Sequence, residues 1–357
     1  MIIANIMTFG RIYDTRSFEF SVKTDNLSAG SSTSTQFRLP LISTVEFVPF
    51  NITWGDGTFN LITAFDDVNL LHQYPVAGTY NVRVRGLMGG LQFANANDRL
   101  KLLVISKVDG LIINVPRTFQ GCSNMTWQSV QNVIIAGNSL EATFFGCSNF
   151  NGNISSWDVS NVTNMFATFR GATNFNQPLN SWNVSNVVFM GDMFRSATNF
   201  NQPLNSWNVS NVQNMSQMFR FANNFNGNIT SWNVSNVTNM FLFFGNAIAF
   251  NQNLGSWNVS NVTNMQNMFQ GSTNFNQNIG AWNVSKVINF ISFMESKTAA
   301  NFSAANLDSI YNGWSLRPVK PNITIDFATI KYTAASSAGR AILTDAPNNW
   351  AITDGGI

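Results

Sequence analysis

Charged side chains are scarce in this chain of 357 residues: Asp, Glu, Lys and Arg make up 10% of it, against about 25% in an ordinary globular protein. Asn, Ser and Thr supply the polarity instead. The net charge is +2, so the balance gives no reason to expect nucleic acid as a partner. Histidine occurs once, at His72, and cysteine twice, at Cys122 and Cys147, too few for a metal site of His and Cys ligands. No apolar run approaches the roughly 18–20 residues of a membrane span, so membrane insertion is not expected. The opening segment has no basic stretch, and Asn5 and Gly10 break its apolar run; neither a secretory signal nor an anchor is expected there. Carboxylate pairs at useful spacing, a phosphate-binding glycine loop and a Cys–His arrangement are all missing. We therefore expect no enzyme and no cofactor.

What the chain does contain is a beat of 25 residues. Trp157, Trp182, Trp207, Trp232, Trp257 and Trp282 keep it without a slip. Phe150 through Phe275, Val159 through Val284 and Asn151 through Asn276 keep the same period. Phe119 and Phe144 fall into the register of Phe169, Phe194, Phe219, Phe244 and Phe269, so degenerate rungs precede the first tryptophan of the row. A fixed period of about 20–50 residues marks a stack of small units, none of which can bury its own apolar face. One rung offers Leu204, Trp207, Val209, Val212, Met215 and Phe219, and Trp207 and Val209 are spaced as on a strand with one face inward. The tryptophans are accordingly expected in the core rather than on a sugar-binding face.

Cys122 and Cys147 occupy one slot on adjacent rungs. Their Cα atoms are expected about 5 Å apart, inside the disulfide range, but parallel side chains suit two small buried thiols better. The Asn161 to Asn261 column is expected to bond nearby backbone groups and to stack along the rungs. Its N-x-S/T sequons are read as structural.

Residues 1–115 show no repeat. Phe18–Val22 and Tyr80–Val84 alternate as strands do, and Asp56-Gly57 is a hairpin signal. Residues 298–357 break the period again, with helices expected at Ala304–Trp314 and Ser336–Leu343 and strands at Ile323–Phe327 and Trp350–Ile352. An open stack needs such an atypical end to cover its last rung.

Two resemblances follow from these residues. Trp54-Gly55-Asp56-Gly57-Thr58, His72-Gln73-Tyr74 and Gly78-Thr79-Tyr80-Asn81-Val82 resemble the PKD-like β-sandwich domains. Asp56 is read as capping its turn rather than holding calcium. Asn161-Val162-Thr163-Asn164-Met165 and Asn261-Val262-Thr263-Asn264-Met265, with the recurring Met-Phe pair, resemble the BspA-like leucine-rich surface repeats. The end of the chain, from Tyr311-Asn312-Gly313-Trp314 to Trp350-Ala351-Ile352-Thr353-Asp354, is similar to the C-terminal unit of such proteins. Together they imply a mainly β chain: an Ig/PKD-like β-sandwich over 1–115, a right-handed leucine-rich-repeat-type solenoid over 116–297, and a small α+β cap over 298–357. They also imply adhesion or display, with no catalytic residue to carry over.

Information about a partner is expected where rungs differ. Arg170, Arg195 and Arg220 fill one slot that continues as Gly245, Gln270 and Glu295. Like charges on adjacent rungs repel by about 1 kcal/mol even in water, and Asp192, one turn before Arg195, is placed to relieve this. The column is either a solvated, partly paired ladder or a patch for an anionic partner. Phe166, Phe241 and Leu242 stand where sister rungs carry Gly191, Ser216, Gln217, Gln266 or Asn267, as a contact surface or local repacking would explain. The expected function is a bacteriophage virion surface protein, a tail or head fibre or decoration subunit. In it the N-terminal domain contacts other virion proteins, and the solenoid meets a host-surface glycan or protein. A bacterial cell-surface adhesin and a purely structural cement are the alternatives, and a homo-oligomer is compatible with all three.

Overall fold

A computed structural model describes residues 15–43 and 47–357. The expectation about a leader or anchor rests mostly on residues 1–14 and lies outside them. Among the described residues the protein is mainly β with two α-helices, and no helix there is long and apolar enough to cross a membrane. It divides into two compact units, Met1–Asp158 and Val159–Ile357. The division falls inside the periodic segment of the sequence.

In the first unit β1 (Ser17–Lys23) lies in the middle of a six-stranded sheet. It pairs antiparallel with β6 (Thr79–Arg85), Phe18 opposite Val84 and Phe20 opposite Val82, and on its other side with β7 (Leu102–Lys107). β3 (Phe50–Thr53) and β4 (Phe59–Ile62) form the hairpin expected around Asp56-Gly57. The hairpin requires Gly55: its φ is +89°, and a Cβ there would meet the Asn81 carbonyl oxygen at 2.5 Å. β2 (Gln36–Arg38) and β5 (Leu71–Gln73) pair as a separate two-stranded sheet. Phe18, Phe20, Val22, Ile52, Val82 and Val84 are buried. At about 1.5–3 kcal/mol for each large apolar side chain, their burial drives this sheet's packing. One ion pair is fully enclosed: Lys101 Nζ lies 3.2 Å from Asp98 Oδ1. It also donates to the carbonyls of Ser32, Thr33 and Gln36, so the pair pins the loop before β2.

The unit ends in rungs. The Arg117, Phe119 and Gly121 amides donate to the carbonyls of Glu141, Thr143 and Phe145, and the Phe119 and Phe144 rings stack at 5.7 Å. Cys122 and Cys147 are buried and unbridged, as expected. The Cys147 thiol donates to the Phe119 carbonyl at 2.9 Å.

The second unit repeats this pattern with little variation. Parallel bridges join Asn164, Phe189, Asn214, Asn239, Asn264 and Asn289 in succession. From Met165, Ala167, Phe169 and Gly171 the amides donate to Phe189, Gly191, Met193 and Arg195 on the next rung. Phe169, Phe194 and Phe219 stack at 5.5 Å, and Trp207, Trp232 and Trp257 at 6.3 Å. The six tryptophans from Trp157 to Trp282 are at most 3% exposed; the row is core.

Two left-handed positions recur in every rung. Ala167, Asp192, Gln217, Leu242, Asn267 and Ser292 have φ between 52° and 58°. Four residues on, Gly171, Ser196, Phe221, Asn246, Gly271 and Ser296 have φ between 58° and 73°. Of the three side chains between them the first two are buried, as Met193 and Phe194 are, and the third, Arg170, Arg195 or Arg220 on three of the rungs, is part-exposed. Asparagines tie the rungs together outside the core. Asn186, Asn211, Asn236 and Asn261 each donate to a serine carbonyl of the preceding rung at 2.6–2.7 Å. The amides thus bond the neighbouring backbone. Lys286 closes the column by donating to Asn261. Past the last rung come α1 (Ala304–Trp314), capped by Ser303, and α2 (Ser337–Thr344). In the same segment the strands β8 (Thr324–Asp326) and β9 (Ala351–Thr353) pair parallel. Leu307, Ile310, Tyr311 and Trp314 of α1 are buried.

Candidate functional site

Between residues 159 and 285 the chain has four charged side chains, Arg170, Asp192, Arg195 and Arg220, and the fold brings all four together. Each arginine sits three residues after the first left-handed position of its rung, and Asp192 occupies that position on the middle rung. Asp192 Oδ1 lies 3.0 Å from Arg195 and 3.7 Å from Arg170. Its other oxygen accepts from Gln217 at 3.4 Å, and Gln217 in turn accepts from Arg220 at 2.8 Å. One carboxylate, itself 5% exposed, thus serves two guanidinium groups directly and a third through one amide. The cluster keeps a net charge of +2, from three arginines and one aspartate.

Arg220 is the least satisfied member. Its Nε is buried and finds no hydrogen-bond partner among the described residues. Burial, and then the adjacent Arg195 and Arg170, hold its pKa below the usual arginine value, with Asp192 opposing. Its guanidinium lies 4.8 Å from the centre of the Phe221 ring, and its stem crosses Gly245, the rung without a side chain at this slot.

Aromatic side chains lie on the same three rungs as the charges. Phe166 is 41% exposed and its ring lies over Gly191, where a Cβ would approach it to 3.3 Å. Phe189 is 49% exposed and Phe221 36%. Phe189 stands where Asn164, Asn214, Asn239, Asn264 and Asn289 stand on other rungs. Each of those asparagines accepts from the amide two residues on, at 2.9–3.1 Å, a turn bond that Phe189 cannot make. Phe221 carries a bulky side chain at φ 58°, in a column otherwise held by Gly, Ser and Asn; positive φ is a true outlier for such a residue. Neither position stood out in the sequence, although comparing these two columns rung by rung would have shown both. The other expected contacts separate. Phe241 is half-buried, and Leu242, 5% exposed, folds against Gly245, so Leu242 serves the packing of its rung.

The first unit offers a second cluster of polar side chains. Asp56 accepts from the Thr58 amide and hydroxyl at 3.0 and 2.6 Å, and its other oxygen lies 2.8 Å from His72 Nε2. Burial raises the Asp56 carboxyl, but the bonds from Thr58 and His72 outweigh it and hold the pKa below the usual value. The His72 ring is stacked on Trp54 at 4.6 Å. Asp56 therefore staples its turn to β5, in the capping role expected of it. Among the described residues no group of three His, Cys, Asp or Glu side chains is placed to hold a metal ion.

A family described as "Mycoplasma protein of unknown function, DUF285" matches residues 113–226 and 203–308. Together the two matches cover more than half the chain and the whole run of tryptophans. No curated protein and no solved structure matches it.

Proposed function

From the chain's membership of the DUF285 family, whose description assigns no activity, we propose a function that rests on the geometry of the rungs. The protein is a non-enzymatic surface protein that displays its repeats for recognition. The repeats form a right-handed leucine-rich-repeat-type solenoid of the BspA-like kind, and the N-terminal unit carries a PKD/Ig-like β-sandwich that anchors the chain to its carrier. One observation carries this reading. What is apolar and constant from rung to rung is buried, and costly departures from the repeat, Phe189 and Phe221, fall on rungs of the charged column of Arg170, Arg195 and Arg220. A cement protein needs no such column.

Two carriers fit. On a bacteriophage particle the N-terminal unit contacts other virion proteins, and the repeats meet a glycan or protein of the host surface. On a bacterial cell the same repeats act as an adhesin, a reading favoured by a family described from Mycoplasma. Immunogold labelling of purified particles and of envelope fractions separates the two carriers. Binding of the purified full chain to intact bacterial cells tests recognition itself. A chain that labels neither surface and retains no cells is incompatible with the proposal.

A further inference from the structure

We propose that the Arg170–Arg195–Arg220 cluster with Phe189 and Phe221 is a binding site for an acidic, carboxylate-bearing polysaccharide that runs along the rungs. The inference rests on the recognition role proposed above and names the ligand class. Three independent features meet at this spot.

The first is charge. Residues 159–285 carry Asn, Ser and Thr for polarity and have four charged side chains, all of them here. Arginine presents a planar fork that matches a carboxylate in two-point fashion. Asp192 and Gln217 hold the forks in a row, yet the four charged side chains keep a net charge of +2 and Arg220 Nε has no partner among the described residues. Rungs follow one another at about 5 Å, so the three arginines form a ladder along which a linear polyanion can bind.

The second is aromatic surface. Phe221 is exposed against Arg220, and Phe189 is exposed on the rung that carries Arg195. A sugar ring has an apolar face that stacks on an aromatic one, as small-ligand sites commonly combine apolar walls with a few polar groups. The third is cost. Phe189 gives up a turn bond that its five sister asparagines make, and Phe221 adopts a left-handed backbone unsuited to its ring. Strained or destabilising choices that the surrounding structure tolerates cluster at functional sites. A ladder serving only to pack the rungs would have no use for either phenylalanine.

Every substitution needed for the test already exists on another rung, so the fold tolerates it. Arg195→Gln and Arg220→Gln copy Gln270, Asp192→Asn copies Asn267, and Phe189→Asn copies Asn214. Titration of the full chain at about 50 mM salt, where surface charges are weakly screened, uses oligogalacturonate as probe and dextran as neutral control. The intact chain is expected to bind oligogalacturonate and not dextran. The Arg195→Gln/Arg220→Gln variant weakens binding at least ten-fold, and Phe189→Asn several-fold. Asp192→Asn, which removes a competing carboxylate, tightens it. Absence of oligogalacturonate binding, equal binding of dextran, or an affinity indifferent to the arginine pair overturns the proposal. Indifference to Phe189→Asn overturns the saccharide and leaves a plain anion patch. If the chain still retains cells while oligogalacturonate fails, the ligand class is wrong and the recognition role stands. If cells fail as well, both fall.

Discussion

The indole nitrogen of Trp232 donates to the main-chain carbonyl of Leu204, on the preceding rung, at 2.8 Å. Trp207 and Trp282 make the same bond to Leu179 and Leu254, whereas Trp257 Nε1 is buried with no partner among the described residues. The row thus holds the rungs by hydrogen bonding as well as by stacking. The Leu204 carbonyl also accepts from the Trp207 amide at 3.1 Å, so Trp232→Phe removes one of its two bonds and is expected to cost about 0.5–1.5 kcal/mol beyond the lost volume. Trp257→Phe removes an unsatisfied donor and should cost less by about 1 kcal/mol or more. Equilibrium urea unfolding of the two variants side by side checks the difference; equal costs would refute the role assigned to the bond.

Phe189→Asn is expected to raise stability. It supplies the turn acceptor that other rungs have and removes an exposed ring, a gain of about 0.5–1.5 kcal/mol. A higher urea midpoint is the expected outcome, and a lower one would mean that the Phe189 ring is needed to pack its rung. Stability gained together with weaker ligand binding is the usual signature of a position kept for function.

Lys297 should give the protein a stability that depends on pH. Its side chain is 1% exposed, donates to the Thr273 and Phe275 carbonyls, and burial draws its pKa down to about 7. Unfolded, it titrates near 10.4. Below pH 7 both states hold the proton and the group gives no slope; between about 7 and 10.4 the unfolded chain binds more protons, so stability rises with pH. The stability difference between the parent and Lys297→Met should therefore shift in the parent's favour across that window, by at most about 4–5 kcal/mol. Parallel curves for parent and variant from pH 6 to 10 would exclude it.

The two cysteines should be inert in the folded chain. Burial pushes both thiols well above their usual range, and only the thiolate reacts. Alkylation by iodoacetamide at pH 8 is expected to label neither Cys122 nor Cys147 until denaturant is added. Rapid labelling of the native protein would contradict their burial.

The period was readable because a shared core admits one residue type at each slot, and Trp207, Val209 and Phe219 therefore declare themselves. The helix at Ala304–Trp314 was readable from its apolar spacing, which puts the buried Leu307, Ile310, Tyr311 and Trp314 on one face. The site was legible only in part. Arg170, Arg195 and Arg220 announced a column, but the bridging by Gln217 depends on a left-handed turn that no glycine marks. Asp, Gln, Leu, Asn and Ser share that slot, so their common backbone is invisible to a reader of residue types. Phe189 and Phe221 were hidden by the opposite effect. Phenylalanine is abundant here and usually core, so an exposed one reads as another member of the stack.

The Ser303 amide bonds to the Asn276 side chain at 2.9 Å, as the Asn276 amide bonds to Asn251 one rung earlier. To the last rung the C-terminal segment is indistinguishable, at this bond, from one more repeat. Growth or loss of the stack by whole rungs would leave that joint intact, whereas a change of any other length would break every column at once. The protein's reach is therefore a quantity evolution can count in rungs, independently of the spot it presents.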